Sequence, residues 1–227
     1  MYKLVIFTLS ILFLYLLIYL IYITYKKDIT DYFTTDLITF VIPTIGRKTL
    51  PRTLESLKNL KNKNWKAIVI FDGIEPNIKD SDPRIKIVKL DKKTGKQGNN
   101  RRNSAGNVRN YSLEFIDTKW TGFVDDDDTL NDQYINKLKD HINNDVNIDV
   151  VIFRMRERNG KTILPKIGDK DFKINQVGIS FCLKTNIYKQ FNFIQSQTED
   201  YDLLKRIKSN GKNIIISDYI GYNVLGN

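Results

Sequence analysis

The apolar positions of the chain fall into two regimes. Leu4 to Ile23 (LVIFTLSILFLYLLIYLIYI) is an unbroken run of 20 residues without a charge. At ~1.5 Å per residue such a helix matches the ~30 Å hydrocarbon core of a bilayer. Tyr19, Tyr22 and Tyr25 gather at its C-terminal end, where an interfacial aromatic belt sits. A cleaved signal peptide is the rival reading, but its apolar region runs only ~7–15 residues and ends at small residues. Here the run is longer and leaves through Thr24-Tyr25-Lys26-Lys27. The pattern predicts an uncleaved transmembrane anchor within residues 1–24 and a single-pass membrane protein. Lys3 on one side and Lys26 and Lys27 on the other leave its orientation open.

Beyond a polar stalk at 25–36, short apolar runs alternate with amphipathic segments. Leu37–Pro43 (LITFVIP) and Trp65–Phe71 (WKAIVIF) are continuous apolar runs of strand length, the signature of strands buried on both faces. Between them, Arg47–Lys61 carries Leu50, Leu54, Leu57 and Leu60 at helical spacing, with Pro51 suited to a first turn. Further strands are predicted at Arg84–Leu90, Trp120–Val124, Asp149–Arg156 and Asn213–Ser217, and helices at Asn107–Ile116, Asp132–Ile142 and Glu199–Lys208. Such alternation argues one α/β domain over 37–227, with a mostly parallel sheet flanked by helices.

Composition narrows the chemistry. The 227 residues contain one cysteine, Cys182, and one histidine, His141. These exclude a disulfide scaffold, a Cys-based zinc site and a multi-His metal centre. Cys182, within ISFCLK, reads as a buried small hydrophobe, and His141, within HINND, as an exposed residue. The formal net charge is +10. Lys89 to Arg109 holds seven basic residues and one acid, a local +6, in a Gly- and Asn-containing loop. That concentration points to phosphates, an anionic acceptor or lipid headgroups, or else to a solvated loop. No nucleic-acid-binding motif accompanies it. Thr94-Gly95-Lys96 is not a phosphate loop, because the G-x-x-x-x-G-K-[ST] spacing is missing, and the sequon at Asn110 lies inside a predicted helix.

In open α/β sheets ligands bind beyond the carboxyl ends of the strands. Those ends read Pro43-Thr44, Asp72-Gly73 and Asp125-Asp126-Asp127-Asp128. Four consecutive aspartates repel one another, and a divalent cation is the usual remedy. All-oxygen ligands suit a hard ion, Mg²⁺ or Mn²⁺. The competing reading is a solvated acidic turn, with Asp128 capping the next helix. Thr198-Glu199-Asp200 opens a helix and offers carboxylates for proton transfer, against the alternative of ordinary N-terminal capping.

The ordered set FVIPTIGR, IVIFDG, GNVRN, FVDDDD and TEDYDLLKRI resembles family 2-type GT-A glycosyltransferases over about residues 37–217. The resemblance implies a Rossmann-like GT-A fold and inverting transfer from a nucleotide-diphospho-sugar to a glycan, lipid or protein hydroxyl, with Mn²⁺ or Mg²⁺ as cofactor. It also implies site residues. Pro43, Thr44 and Asp72 would hold the base, and Arg109 and Asn110 would lie by base and phosphates. Asp125 would sit by the ribose and also near the metal, and Asp127 on the metal, with Asp126 and Asp128 as the one-residue register alternatives. Asp200 would be the base, with Glu199 beside it. Arg206 is either a diphosphate contact or a surface residue. Acceptor contacts are expected in 157–197, with Arg154, Arg156, Arg158 and Lys166–Lys173 as candidates. A nucleotidyltransferase, or a non-catalytic nucleotide- or carbohydrate-binding module of the same fold, is the alternative.

Overall fold

A computed structural model describes residues 12–23, 37–95 and 105–226. The predicted stalk and most of the basic loop, residues 96–104, lie outside the described residues. So do residues 4–11 of the predicted span. Its remainder is helix α1 (12–23), whose twelve residues are all apolar or aromatic and all exposed. Twelve residues rise ~18 Å, and among the described residues no helix is long and apolar enough to cross a membrane.

The domain is built on a sheet of nine strands among the described residues: β1 (Ile38–Thr44), β2 (Trp65–Phe71), β3 (Ile85–Lys89), β4 (Trp120–Phe123), β5 (Thr129–Leu130), β6 (Val150–Arg156), β7 (Ile163–Leu164), β8 (Phe181–Lys184) and β9 (Ile214–Asn223). Its order is β3-β2-β1-β4-β8-β6-β9-β5, with β7 on β6. β1 is buried at every position and pairs in parallel with both β2 and β4, as its unbroken apolar run requires. Helices α2 (Leu50–Lys58), α3 (Ala105–Tyr111), α4 (Tyr134–Asn144), α5 (Thr185–Gln190) and α6 (Glu199–Ser209) flank it. α2 buries Leu50, Thr53, Leu54 and Leu57, the stripe its spacing predicted. Burial of each leucine contributes about 1.5–3 kcal/mol.

Two expectations are corrected. The sheet is mixed rather than mostly parallel. β8 inserts antiparallel between β4 and β6, and β5 and β7 add antiparallel edges. β8 has only four residues, too few to display a period. β9 runs ten residues, well past the predicted end at Ser217. Asp218 and Gly221 interrupt its apolar pattern, and its pairing with β6 shifts register there.

The strands β1, β2 and β4 run the same way, so their C-terminal ends bring Thr44, Asp72 and Asp125 to one edge. Beneath that edge, Phe123 makes edge-on contacts with Phe181, Tyr188 and Phe193 at centroid distances of 5.5, 5.2 and 5.2 Å. Phe193 thus links the sheet to the segment that enters α6.

Candidate active site

A cavity of about 480 Å³ opens at this edge, a volume suited to a small-molecule ligand. Pro43, Thr44, Asp72, Arg109, Asp125 and Asp126 line it together with Ser196 to Tyr201, Asn175 and Val177. Glu199 and Asp200 come from the first turn of α6, so the strand-end residues and the predicted base share one space.

Arg109 is the hub. It lies on α3 with its side chain 3% exposed, donating through Nη2 to Asp125 Oδ1 (2.6 Å) and through Nη1 to Glu199 Oε1 (2.8 Å). Asp200 Oδ1 lies 3.8 Å from the same Nη1. Burial alone disfavours the guanidinium cation, but Asp125, Asp200 and Glu199 outweigh it and hold Arg109 charged. Glu199 is fixed a second time by the Gly106 N–H, at 3.2 and 3.1 Å from its two oxygens. Residue 106 has to be glycine. A Cβ there would meet Phe193 Cβ at 2.7 Å and Glu199 Oε2 at 2.8 Å.

One cation cannot neutralise three carboxylates, and Asp200 carries the deficit. Its Oδ1 is enclosed and, among the described residues, has no hydrogen-bond partner. Burial, which Arg109 opposes and Asp125 and Glu199 reinforce, pushes its pKa up to about 7. The capping alternative fails on geometry. Thr198 makes no side-chain cap bond; its hydroxyl donates to Asp202 Oδ2 at 3.0 Å, as does the Ser196 hydroxyl.

In the acidic turn after β4 every aspartate has a protein partner, with Arg47 shared between Asp126 and Asp127. Asp125 has Arg109. Asp126 accepts from the Thr44 hydroxyl (2.5 Å) and from Arg47 Nη1 (3.0 Å). Its pKa is raised, by burial first, with Thr44 and Arg47 pulling the other way. Asp127 pairs with Arg47 at 2.7 Å. Asp128 accepts from the Tyr222 hydroxyl (3.0 Å) and the Leu225 N–H (2.8 Å), and burial raises its pKa to about 6. It does not cap α4, which begins at Tyr134 behind Gln133.

Other predicted residues are occupied elsewhere. Asp72 is 5% exposed and accepts from Thr94 N–H (2.6 Å) and Gly95 N–H (3.0 Å). The turn beside it uses a left-handed glycine, Gly73 (φ +66), whose Cβ would strike Lys93 N at 2.3 Å. Asn110 does not line the cavity. Its amide is bonded to Phe193, donating to the carbonyl and accepting from the N–H, each at 2.9 Å. Arg206 does not line it either, and donates to the Asn192 carbonyl. Among the proposed acceptor contacts, Arg154 is 1% exposed and bonded to the carbonyls of Ser217 and Lys166. Arg156, Arg158 and Lys166–Lys173 also lie off the cavity, whereas Asn175 and Val177, just beyond, reach it. His141 is half-buried rather than exposed, with Nε2 2.9 Å from Ser217 Oγ. Cys182 is buried as expected, its thiol pushed up to about 12 by burial.

Three residues were missed as site residues. Arg47 sits in the loop directly after Pro43-Thr44, a position that offered a signal. Gly106 stands in the GNVRN motif itself. Tyr222 lay beyond the predicted end of the last strand and offered none.

The comparisons agree with this geometry. No curated protein matches the sequence. Among solved structures, the chain is similar to S. aureus TarS 1-349, with TM-score 0.62 and 18% identity over 83% of this chain and 60% of that one. It is similarly related to TarS 1-349 in complex with UDP (TM-score 0.64, 18% identity, 83% and 60% covered) and with UDP-GlcNAc (0.62, 18%, 83% and 58%). The chain therefore spans about 60% of the length of these proteins, and at this identity the likeness shows the fold. The family model described as glycosyl transferase family 2 matches residues 39–211, most of the chain. This protein belongs to glycosyl transferase family 2 and shares the fold of these structures.

Proposed function

We propose that this protein is a membrane-anchored glycosyltransferase that binds a divalent cation and inverts the anomeric centre of a nucleotide-diphospho-sugar with Asp200 as general base. Asp200 carries the reading. It shares one cavity with the strand-end residues, its Oδ1 has no hydrogen-bond partner among the described residues, and its pKa of about 7 suits proton transfer near neutral pH. In the step, Asp200 takes the proton from the acceptor hydroxyl. The acceptor oxygen then bonds to the anomeric carbon, and the bond from that carbon to the diphosphate breaks. Arg109 keeps Glu199 and Asp125 fixed around the base and so supports the alignment that in-line attack needs.

The donor chemistry of the acidic turn, carboxylate oxygen throughout, fits Mn²⁺ or Mg²⁺. Asp125, which lines the cavity, would hold it, with Asp127, which does not line it but pairs with the lining residue Arg47, as second ligand. Such an ion neutralises charge on a leaving diphosphate. Among the described residues no three His, Cys, Asp or Glu side chains form a ready cluster, so phosphate oxygens of the donor would complete the shell. The exposed, wholly apolar face of α1 supports anchoring, since such a surface is unfavourable in water.

TarS 1-349 was solved with UDP and UDP-GlcNAc, so uridine-diphospho-sugars head the donor screen. The full chain in detergent should show a larger thermal shift from the donor with Mn²⁺ than with EDTA, and should release nucleoside diphosphate when acceptor is supplied. Equal shifts in both would remove the metal. A shift with no turnover for any donor would indicate a binding module. No shift for any nucleotide-diphospho-sugar would overturn the reading.

A further inference from the structure

The loop between β1 and α2 places a cation over the acidic turn. The Thr44 hydroxyl accepts from the Gly46 N–H (2.9 Å) while donating to Asp126, and Asn77 Nδ2 donates to the Gly46 carbonyl (3.0 Å). Gly46 takes φ +78, where only glycine is unstrained. The loop is thus fastened on both sides, and Arg47 leaves it toward the cavity it helps to line. A single nitrogen, Nη1, serves both Asp126 Oδ1 (3.0 Å) and Asp127 Oδ2 (2.7 Å). Among the described residues Nε and Nη2 make no hydrogen bond, and a third of the side chain is exposed. Arg52, the next cation, donates instead to the backbone carbonyls of Asp127 and Gly226.

We propose that Arg47 exchanges partners at the donor site. Without donor it neutralises Asp126 and Asp127; with donor its guanidinium turns to the diphosphate and frees the Asp127 carboxylate for the divalent cation. The proposal rests on reading the cavity as a nucleotide-diphosphate site. Its physical basis is competition. Asp127 has Arg47 as its ion-pair partner, and a divalent cation on the same carboxylate would face the guanidinium at close range and be repelled. A diphosphate offers the guanidinium the planar, two-point contact that suits it best. Drawing Arg47 away lowers the cost of binding the metal, so donor and metal bind with positive coupling. Asp126 keeps the Thr44 hydroxyl after the exchange, so the turn is not left unsupported.

The test is Mn²⁺ binding to the full chain in detergent, followed by electron paramagnetic resonance of free Mn²⁺, with and without UDP. Arg47→Ala should bind Mn²⁺ alone at least about fivefold more tightly than wild type, and UDP should tighten Mn²⁺ binding less in the variant than in wild type. In EDTA the variant should bind UDP about tenfold more weakly, the loss expected of one charge-assisted contact. Arg47→Lys should keep the wild-type order of Mn²⁺ affinities. Mn²⁺ affinity that is unchanged or weaker in Arg47→Ala overturns the exchange. If that variant does not fold, Arg47→Gln, which keeps a donor but no charge, makes the same comparison. Failure of the wild type to bind UDP under any condition would instead remove the donor-site reading, while the Mn²⁺ titration alone still decides whether Arg47 guards Asp127.

Discussion

Asp200→Asn separates what a buried carboxylate does for catalysis from what it costs the fold. Burial is the main reason its pKa rises from 3.8 to about 7, with Arg109 opposing and Asp125 and Glu199 adding. A rise of about three units corresponds to about 4 kcal/mol at 1.36 kcal/mol per unit. A quarter of the side chain reaches the cavity, where water screens the charge, so about 1–2 kcal/mol is the expected size. The folded-state pKa lies above the unfolded one. The stabilisation therefore belongs to the protonated form: it is full below about pH 3.8, is lost as pH rises toward about 7, and changes no further above that. Asparagine does not ionise. The variant should therefore match wild type near pH 4 and exceed it by about 1–2 kcal/mol at pH 8 in urea unfolding. Transfer should show the reverse. Wild-type kcat/KM should climb through about pH 7 and level off, and the variant should lose roughly 10²–10⁴-fold while retaining donor binding. A stability gap that is the same at pH 4 and pH 8 would refute the burial argument, and normal turnover by the variant would refute the base assignment.

Gly106→Ala forces a Cβ to 2.7 Å from Phe193 and 2.8 Å from Glu199. It should cost about 1–3 kcal/mol in denaturant unfolding, and transfer should fall because Glu199 no longer braces Arg109. Tyr222→Phe removes the hydroxyl that accepts from the Asp125 N–H and donates to Asp128. About 1–3 kcal/mol of stability should be lost, because both groups stay buried without that partner. Asn110→Ala should lower the melting temperature through the lost Phe193 bonds yet leave donor affinity near wild type in calorimetry. A selective loss of donor affinity at unchanged stability would return Asn110 to the binding site.

Much of this protein is legible from its chain because the decisive signals are local. A run such as Leu37–Pro43, apolar but for Thr39, identifies a strand covered on both faces, and the leucines of α2 identify its buried stripe. Once strands and helices alternate, chain geometry brings strand ends to one edge, so Thr44, Asp72 and Asp125 are correctly grouped before any coordinates. Asp200, in the first turn of a helix, is singled out by the resemblance of its TED motif and not by strand geometry. β8 escaped because four residues show no period, and its antiparallel place between β4 and β6 depends on partners about 30 and 60 residues away in the chain.

What spacing cannot encode is which charge meets which. The run Asp125–Asp128 shows four like charges but not their protein partners. In the folded chain these are Arg109 for Asp125, Thr44 and Arg47 for Asp126, Arg47 again for Asp127, and Tyr222 with the 224–226 segment for Asp128. Asn110 and Arg109 are adjacent in sequence, yet the helix turns one to the backbone of Phe193 and the other to the cavity. Arg154, Arg156 and Arg158 looked alike as acceptor contacts, and burial set Arg154 apart as a structural cation. The chain by itself determined the α/β alternation and the edge where the cavity opens, because these follow from periodicity and order. The tertiary structure alone decided the ion partners, and with them the raised pKa of Asp200, because desolvation and Coulombic coupling depend on distances that only the folded chain defines.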